Sequence, residues 1–553
     1  SRSLAGEREL FQAIKQAVPG LNSHEVYLDN IRHCLEMLEA LREFPSEQVS
    51  VQWPRGKKLT LSRVIRWGDV RVSVARDNDW FSVNAELNLE DDDSLSLSQL
   101  LEKNRLENSR FVILEDGSYV ALTKELERKL NALEQAAAKV SDTTFRLHPL
   151  TGSVLLDGVE IESIDDAWEE TQERIRRARA FEPRLPEAFE GELRPYQLEG
   201  YKWLSRCAEW GVGACLADDM GLGKTVQILV ALLDRKESGP ALVVAPTSVC
   251  DNWRSEAQRF TPDLRVFVLG EADRDTTITE CGPGDVLICS YGLMCREIEK
   301  LKETNWGTVV LDESQAIKNT QTQRFKAAIS LSADFRVAAT GTPVENHLGE
   351  LWALFRFLNP GLLGGQKTFF ARFGQDEESL ETLKAIVSPF ILRRLKKDVL
   401  KDLPPKTEIT VSVELSREER LYYESLRMSA VERLEEEKAG VIHVLAELMK
   451  LRRACCHPRL TGGDAESSKL ARFMELVENL REGGHRALVF SQFVDHLKLV
   501  GEELESQGIP YLYLDGSTPG RKRGELVEAF QQGEGDLFLI SLKAGGTGLN
   551  LTA

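Results

Sequence analysis

The sequence contains no run of 18 consecutive apolar residues, which excludes a hydrophobic membrane-spanning helix by length. Its first ten residues, SRSLAGEREL, lack the apolar core of a signal peptide. Both absences point to the cytoplasm or the chromosome and to no membrane partner. There is no C-x-x-C pair, and the nine cysteines are an odd number. Neither a disulfide scaffold nor a zinc ribbon fits that count. The densest cluster, Cys455-Cys456-His457, has too few ligands for a metal site, so the cysteines read as reduced and structural. Internal repeats and low-complexity tracts are absent. So is a positive charge balance: 88 Asp+Glu against 70 Lys+Arg give a net charge of -18. That excludes a protein that coats nucleic acid by bulk attraction. A local basic track remains compatible, because phosphate contacts depend on which charges line the path.

What is present is 553 residues, 42% hydrophobic and 29% charged, a chain for about three or four globular domains. Residues 1–45 carry apolar residues at helical spacing, such as Ile31, Cys34, Leu35, Leu38 and Leu41. The period then becomes two in DVRVSVAR (69–76) and WFSVNAELNL (80–89). RFVILEDGSYVALT (110–123) predicts a hairpin with Asp116-Gly117 supplying positive φ angles. Residues 124–185 read as mostly helical, interrupted by a hairpin-like stretch, FRLHPLTGSVLLDGVEI, and followed by a Pro- and Glu-rich linker. After 190, short apolar strands alternate with helices: ALVVAP (241–246), DVLICSY (285–291), TVVLDES (308–314) and RVAATGTP (336–343). This is the pattern of a parallel sheet with helical crossovers. A long helical region is predicted over 344–460. Strands then resume with RALVFSQF (486–493), YLYLDG (511–516) and DLFLISL (536–542).

Within that α/β pattern lies ADDMGLGKTVQ (217–227). The phosphate-loop pattern G-x-x-x-x-G-K-[ST] would put glycine at 218, where this chain has Asp218. The rest of the loop is intact. A strand-to-helix turn offers backbone N–H groups and a helix dipole to phosphate oxygens. Gly221 and Gly223 permit close approach, Lys224 would reach the β/γ-phosphates, and the Thr225 hydroxyl would ligate Mg²⁺. In VVLDESQ (309–315) an apolar strand ends in two carboxylates, at the sheet edge where ligands bind. Asp312 would hold Mg²⁺, and Glu313 would orient and deprotonate the attacking water. A third strand ends in Thr340-Gly341-Thr342, an ordinary tight turn when taken alone. The basic runs LRRLKKDVLKDLPPK (392–406) and GRKRGE (520–525) read, alone, as solvated helix faces.

In this order the motifs resemble those of the Swi/Snf-type (Snf-two) ATPases of helicase superfamily two, densely from Leu193 to Ala553. LRPYQLEGYKWL (193–204) resembles the adenine-sensing segment, which implies Arg194 and Gln197 at the base. ADDMGLGKTVQ is similar to the first motif, where the family normally carries an acidic residue in place of the first glycine. The resemblance therefore implies a working loop, with Met220, Gly221, Leu222, Gly223, Lys224 and Thr225 around ATP. VVLDESQ resembles the DEAH/DEAQ box, with Gln315 beside the catalytic pair. Ser314 stands where Ala or Gly is more frequent. TGTPVEN resembles the coupling motif, with Glu345 where Gln is common. LVVAPTSVCDNW (242–253) implies Pro246, Thr247 and Ser248 near the nucleic-acid backbone. RALVFSQF, LDGST (514–518) and ISLKAGGTGLNLTA (540–553) resemble second-lobe motifs. They imply Gln492, Ser517, Thr518, Lys543 and Gly545 at nucleic acid and Gly548 at ATP. The stretches 390–408 and 451–460 resemble segments particular to this family.

The resemblance implies an α/β fold: two RecA-like lobes with parallel sheets and a helical insertion, behind a mixed α/β accessory region like that of some bacterial members. The expected divisions are 1–123 accessory, 124–190 helical linker, 191–375 first lobe, 376–465 helical connection and 466–553 second lobe. The family's arginine-finger motif is expected soon after 553, so the second lobe reads as incomplete. The activity implied is ATP- and Mg²⁺-dependent translocation along double-stranded DNA without strand separation, at the nucleoid, acting on a DNA-bound protein. An RNA-acting helicase-like ATPase and a regulatory scaffold with a degenerate motor are the alternatives.

Overall fold

The computed structural model of the chain describes all residues except 1–3, 19–27, 29, 43, 46–47, 54–57, 78–79, 89–93, 97–109, 115, 137, 140–143, 157–159, 271–273, 375, 400–407, 437–440 and 546–553. Two amphipathic helices, Leu4–Ala17 and Ile31–Arg42, lead into nine short strands. These are β1 (Leu61–Ile65), β2 (Val70–Asp77), β3 (Trp80–Asn88), β4 (Ser94–Ser96), β5 (Phe111–Ile113), β6 (Tyr119–Leu122), β7 (Ala138–Lys139), β8 (Thr144–Leu147) and β9 (Glu160–Ile164). They form one sheet of order β1-β6-β5 and another of order β7-β8-β3-β2-β9, with β4 paired to β3. The period-two reading of 70–76 is realised directly. Val70, Val72 and Val74 point into a core with Phe81, Val83, Trp67 and Trp168, while alternate residues face outward.

Two local expectations change. Among the described residues of the β5–β6 hairpin, only Gly117 takes a positive φ, of 82°. Asp116 instead fixes the turn through its side chain, which accepts from the Ser118 N–H at 2.8 Å. The stretch 145–161 is not a hairpin. His148 caps the helix Pro149–Leu155, with proline at its first turn. That helix carries the chain across the sheet, so β8 pairs with β3 on one side and β9 runs parallel to β2 on the other. Strands on both sides of position 123 thus share one sheet, and the division expected there runs through a continuous unit.

The largest described sheet has seven strands, all parallel: β10 (Ala214–Leu216), β11 (Ala241–Ala245), β12 (Arg265–Val268), β13 (Asp285–Ser290), β14 (Trp306–Asp312), β15 (Ala333–Ala339) and β16 (Ile391–Leu392), in the order β12-β13-β11-β14-β15-β10-β16. Every residue of β11 and β14 is buried, as expected of a parallel strand covered on both faces. The helix Lys224–Asp234 is buried along nearly its whole length, from Val226 to Leu233. β16 is only two residues long, yet it pairs with β10, so the first sheet extends to Leu392, past the division expected at 375. Helices Arg417–Glu436 and Val441–Cys456 follow. A second parallel sheet holds β17 (Ala487–Ser491), β18 (Tyr511–Leu514) and β19 (Leu537–Ser541), in the order β17-β19-β18. No described helix is long and apolar enough to cross a membrane.

Candidate active site

Strand register assembles the site. Leu216 of β10 and Asp312 of β14 both lie opposite Ala339 of β15. The three strands therefore end in one row, and the loops beginning at 217, 313 and 340 emerge side by side at the carboxyl edge of the sheet. The glycine loop before Lys224, the acidic pair and the Thr340 turn meet because the strands are in register.

Asp218 is not a vestige of a lost glycine. Its carboxylate is fully buried and receives the Nε of Arg394 at 2.9 Å, with Nη2 on its second oxygen. Arg394 also bonds the Tyr196 carbonyl and Gln227 Oε1, the latter at 2.7 Å. Gln227 in turn donates to the Gly223 carbonyl at 3.1 Å. A Cβ on Gly200 would fall 1.8 Å from Gln227 Oε1, so only glycine allows this cluster to close. The basic run 392–406 is thus not merely a solvated face. Lys396 donates its backbone N–H to Asp219 at 2.9 Å, and its ammonium lies 3.3 Å from where a Gly221 Cβ would be. The pairing of Arg394 and the placing of Lys396 were not readable in the sequence, because 176 residues separate Arg394 from Asp218.

Within the loop, Gly221 and Gly223 take φ of 80° and 73°, which turn the chain into the helix beginning at Lys224. Lys224 Nζ donates to the Asp218 carbonyl at 2.9 Å. Gln197 is bonded at both ends: its Oε1 accepts from the Arg194 N–H at 2.9 Å and its amide donates to the Leu222 carbonyl at 3.2 Å. It fastens the entry of helix Pro195–Trp210 to the loop. Met220 is half exposed at the rim, and Thr225 is partly buried in the first turn of its helix.

Asp312 accepts from the Trp253 indole N–H at 2.8 Å and from the Glu313 N–H at 2.9 Å. Its backbone carbonyl accepts from the Tyr291 hydroxyl at 2.8 Å. Burial pushes its carboxyl up to about 6, the Trp253 hydrogen bond holds it down, and the charges of Glu313 and Lys224 pull in opposite directions. Glu313 has a φ of 48°, the only positive value at a described non-glycine residue, a strained conformation of the kind that collects at active sites. It accepts from Gln315 Nε2 at 2.7 Å, and Gln315 Oε1 accepts from the Thr340 hydroxyl at 3.1 Å. Thr340 Oγ1 accepts from the Thr342 N–H, and the Thr342 hydroxyl donates to Glu345 at 3.0 Å. The Thr340 turn is therefore a link in a chain from Glu313 to Glu345, and more than a tight turn.

Trp253 and Tyr291 were missed as site residues. Trp253 ends the quoted motif LVVAPTSVCDNW, but only the fold shows that its indole reaches across to β14. Trp253→Phe keeps most of the volume and deletes the donor. It is expected to destabilise the protein by about 1–3 kcal/mol, the cost of a buried acceptor left short of a partner. Urea unfolding checks this, and an unchanged midpoint would refute the role of that bond.

Of the remaining sequence-based candidates, Pro246, Thr247 and Ser248 follow β11, with Thr247 exposed. Gln492, Ser517, Thr518, Lys543 and Gly545 stand on the second sheet's unit. Gln492 accepts from Arg452 at 2.7 Å. Ser517 and Thr518 wrap Asp515, and Lys543 is exposed. Gly548 lies outside the described residues. Among those described, no group of three or more His, Cys, Asp or Glu is arranged to hold a metal, and all nine cysteines are free.

A family profile described as "SNF2-related domain" matches residues 196–460, and one described as "Helicase conserved C-terminal domain" matches 468–553. The putative ATP-dependent helicase/translocase YwqA of Bacillus subtilis is 36% identical over 470 residues, covering 78% of this chain and 50% of that protein. The human SWI/SNF-related matrix-associated actin-dependent regulator of chromatin subfamily A member 1 is 36% identical over 394 residues, covering 66% of this chain and 38% of that protein. A solved Sulfolobus solfataricus SWI2/SNF2 ATPase core in complex with dsDNA is 35% identical, covering 65% of this chain and 80% of that one, with a TM-score of 0.39. The chain spans half the length of the Bacillus relative and a smaller share of the human one. The chain belongs to the SNF2-related family of helicase-like ATPases.

Proposed function

We propose that this chain hydrolyses ATP and uses the energy to move along double-stranded DNA without separating the strands. The observation that carries the reading is the row formed by Leu216, Asp312 and Ala339, which sets a phosphate loop beside two carboxylates and a threonine relay. The loop's N–H groups and Lys224 bind the phosphates of ATP, exchanging the ammonium's bond to its own loop carbonyl for phosphate oxygens. Arg194 and Gln197 frame the adenine side. Glu313, held by Gln315, accepts a proton from the attacking water at a carboxylate oxygen. The hydroxyl of Thr225 and the carboxylate of Asp312 are hard oxygen donors that fit Mg²⁺, which supplies charge neutralisation at the phosphates when bound. Gln315, Thr340, Thr342 and Glu345 pass a change at Glu313 toward the helices that follow β15.

Movement requires two grips whose affinities alternate with the nucleotide. Pro246, Thr247 and Ser248 in the first lobe, and Gln492, Ser517, Thr518, Lys543 and Gly545 in the second, are the proposed contacts to the sugar–phosphate backbone. Such contacts hold any sequence equally, as a translocating motor needs. The names of the relatives, ATP-dependent helicase/translocase and regulator of chromatin, support this class. A DNA-bound protein at the nucleoid is the substrate this reading implies.

The test is steady-state ATPase with no nucleic acid, duplex DNA, single-stranded DNA and RNA in parallel, each at two salt concentrations. Duplex DNA is expected to stimulate most. Its half-saturating concentration should rise steeply with salt, with a log–log slope near 0.9 for each phosphate contacted. Stimulation by RNA alone, or a response flat in salt, would overturn the duplex reading.

A further inference from the structure

Arg394 accounts for one cation of the basic run at 392–406. Two residues on, Lys396 stands at the same rim with no task yet assigned. Its backbone is fixed there by two bonds. The Asp219 N–H reaches the Arg394 carbonyl at 3.0 Å, and the Lys396 N–H returns to an Asp219 carboxylate oxygen at 2.9 Å. The short helix Lys396–Val399 therefore starts against the glycine loop, although 177 residues separate Lys396 from Asp219.

The side chain then lies over the loop. Its ammonium is 3.3 Å and its Cε 3.5 Å from the position a Gly221 Cβ would occupy. Lys396 and Gly221 are both exposed, so a ligand resting on the loop can reach the ammonium. Among the described residues this ammonium makes no ion pair. The Asp219 carboxylate receives the backbone N–H instead, and Asp218 is claimed by Arg394. The loop is thus approached by two ammonium groups: Lys224, from the helix that follows it, and Lys396, from the chain leaving the first lobe.

We infer that Lys396 is a second phosphate-binding cation of the ATP site, its ammonium donating to a phosphate oxygen of the bound nucleotide. The inference rests on this loop being that site. A triphosphate sets several negative charges over a loop whose own side chains, Met220 and Leu222, are apolar. Backbone N–H groups and Lys224 meet some of them. An ammonium is among the strongest donors to a phosphate oxygen. This one has no carboxylate to give up on binding, and its backbone tether holds it within a side chain's length of the loop. A duplex backbone also attracts lysine, but Lys396 stands at Gly221, whereas the proposed DNA contacts follow β11 and lie on the second sheet's unit.

The experiment labels the full chain with an acyl-phosphate derivative of ATP, followed by peptide mapping. A lysine amine beside the phosphates attacks the acyl carbonyl, an amide forms, and the acyl–phosphate bond breaks to release ATP. Lys224 and Lys396 are expected to be labelled and to be protected by excess ATP, while the exposed neighbour Lys397 is not protected. Lys396→Met is expected to weaken ATP binding, read by calorimetry, by about tenfold or more through loss of a charge-assisted bond. The variant keeps the backbone N–H that bonds Asp219, so the rim stays tied. Lys396→Arg is expected to restore most of the affinity, and Lys397→Met, with the same change in net charge, to leave it unchanged. Protected labelling of Lys224 without Lys396, or native ATP affinity in Lys396→Met, would overturn the inference and leave the ATP site standing. A loss in Lys396→Met confined to DNA affinity would overturn it in favour of a duplex contact. Labelling of neither lysine would bring down the ATP site as well.

Discussion

Glu313→Gln is expected to leave ATP binding intact and to lower turnover by about 10²–10⁴-fold, the usual weight of a general base. The amide cannot take the proton of the attacking water. The turn should survive the change, because a glutamine carbonyl can still accept the bond from Gln315 Nε2 that Glu313 accepts now. The loop from Gly221 to Thr225 and the anchoring of Gln197 to Leu222 are untouched. Lys224→Ala is the contrasting case: it removes the charge that meets the phosphates and is expected to abolish both tight binding and turnover. Nucleotide affinity by calorimetry, beside single-turnover hydrolysis, separates the two. Near-native turnover in either variant would disprove the assignment.

Arg394→Ala is expected to cost about 3–5 kcal/mol, because it strands the Asp218 carboxylate in a site with no access to water. For a lobe of this size that corresponds to a fall in melting temperature on the order of 10 °C. The loss should be specific to the pair. Asp218→Leu combined with Arg394→Met removes both charges and is expected to recover much of the stability, since apolar replacement of a whole buried pair is often close to neutral. Scanning calorimetry of the two variants decides the matter. If Arg394→Ala melts with the native protein, the pair carries no structural weight.

The motor core was legible in the sequence because its strands are short, buried and largely apolar runs closed by turn residues. β11 and β14 are of this kind, and the acidic pair sits where such a strand must end. What escaped was whatever depends on residues far apart in the chain. β16 has two residues, too few for any periodicity, and becomes a strand only by lying against β10. The division expected at 375 erred for that reason. The division at 123 erred similarly: β8 and β9 read as local structure, yet their partners lie some 60 to 90 residues earlier. Asp218 was legible as a signature and illegible as chemistry, because its partner Arg394 lay in a run that looked like ordinary surface charge. Trp253 stood inside a quoted motif without its role, since a tryptophan after a strand is more often packing than a ligand's support.

The short strand β16 has one more consequence. Its pairing does not stop at Leu392: the Ala217 N–H bonds the Leu392 carbonyl at 2.7 Å, and the Asp219 N–H bonds the Arg394 carbonyl at 3.0 Å. The chain leaving the first lobe is thus laced rung by rung onto the rim of the phosphate loop, with Arg394 as the knot. A displacement of the outgoing segment is therefore expected to be felt at the loop proposed to hold the phosphates.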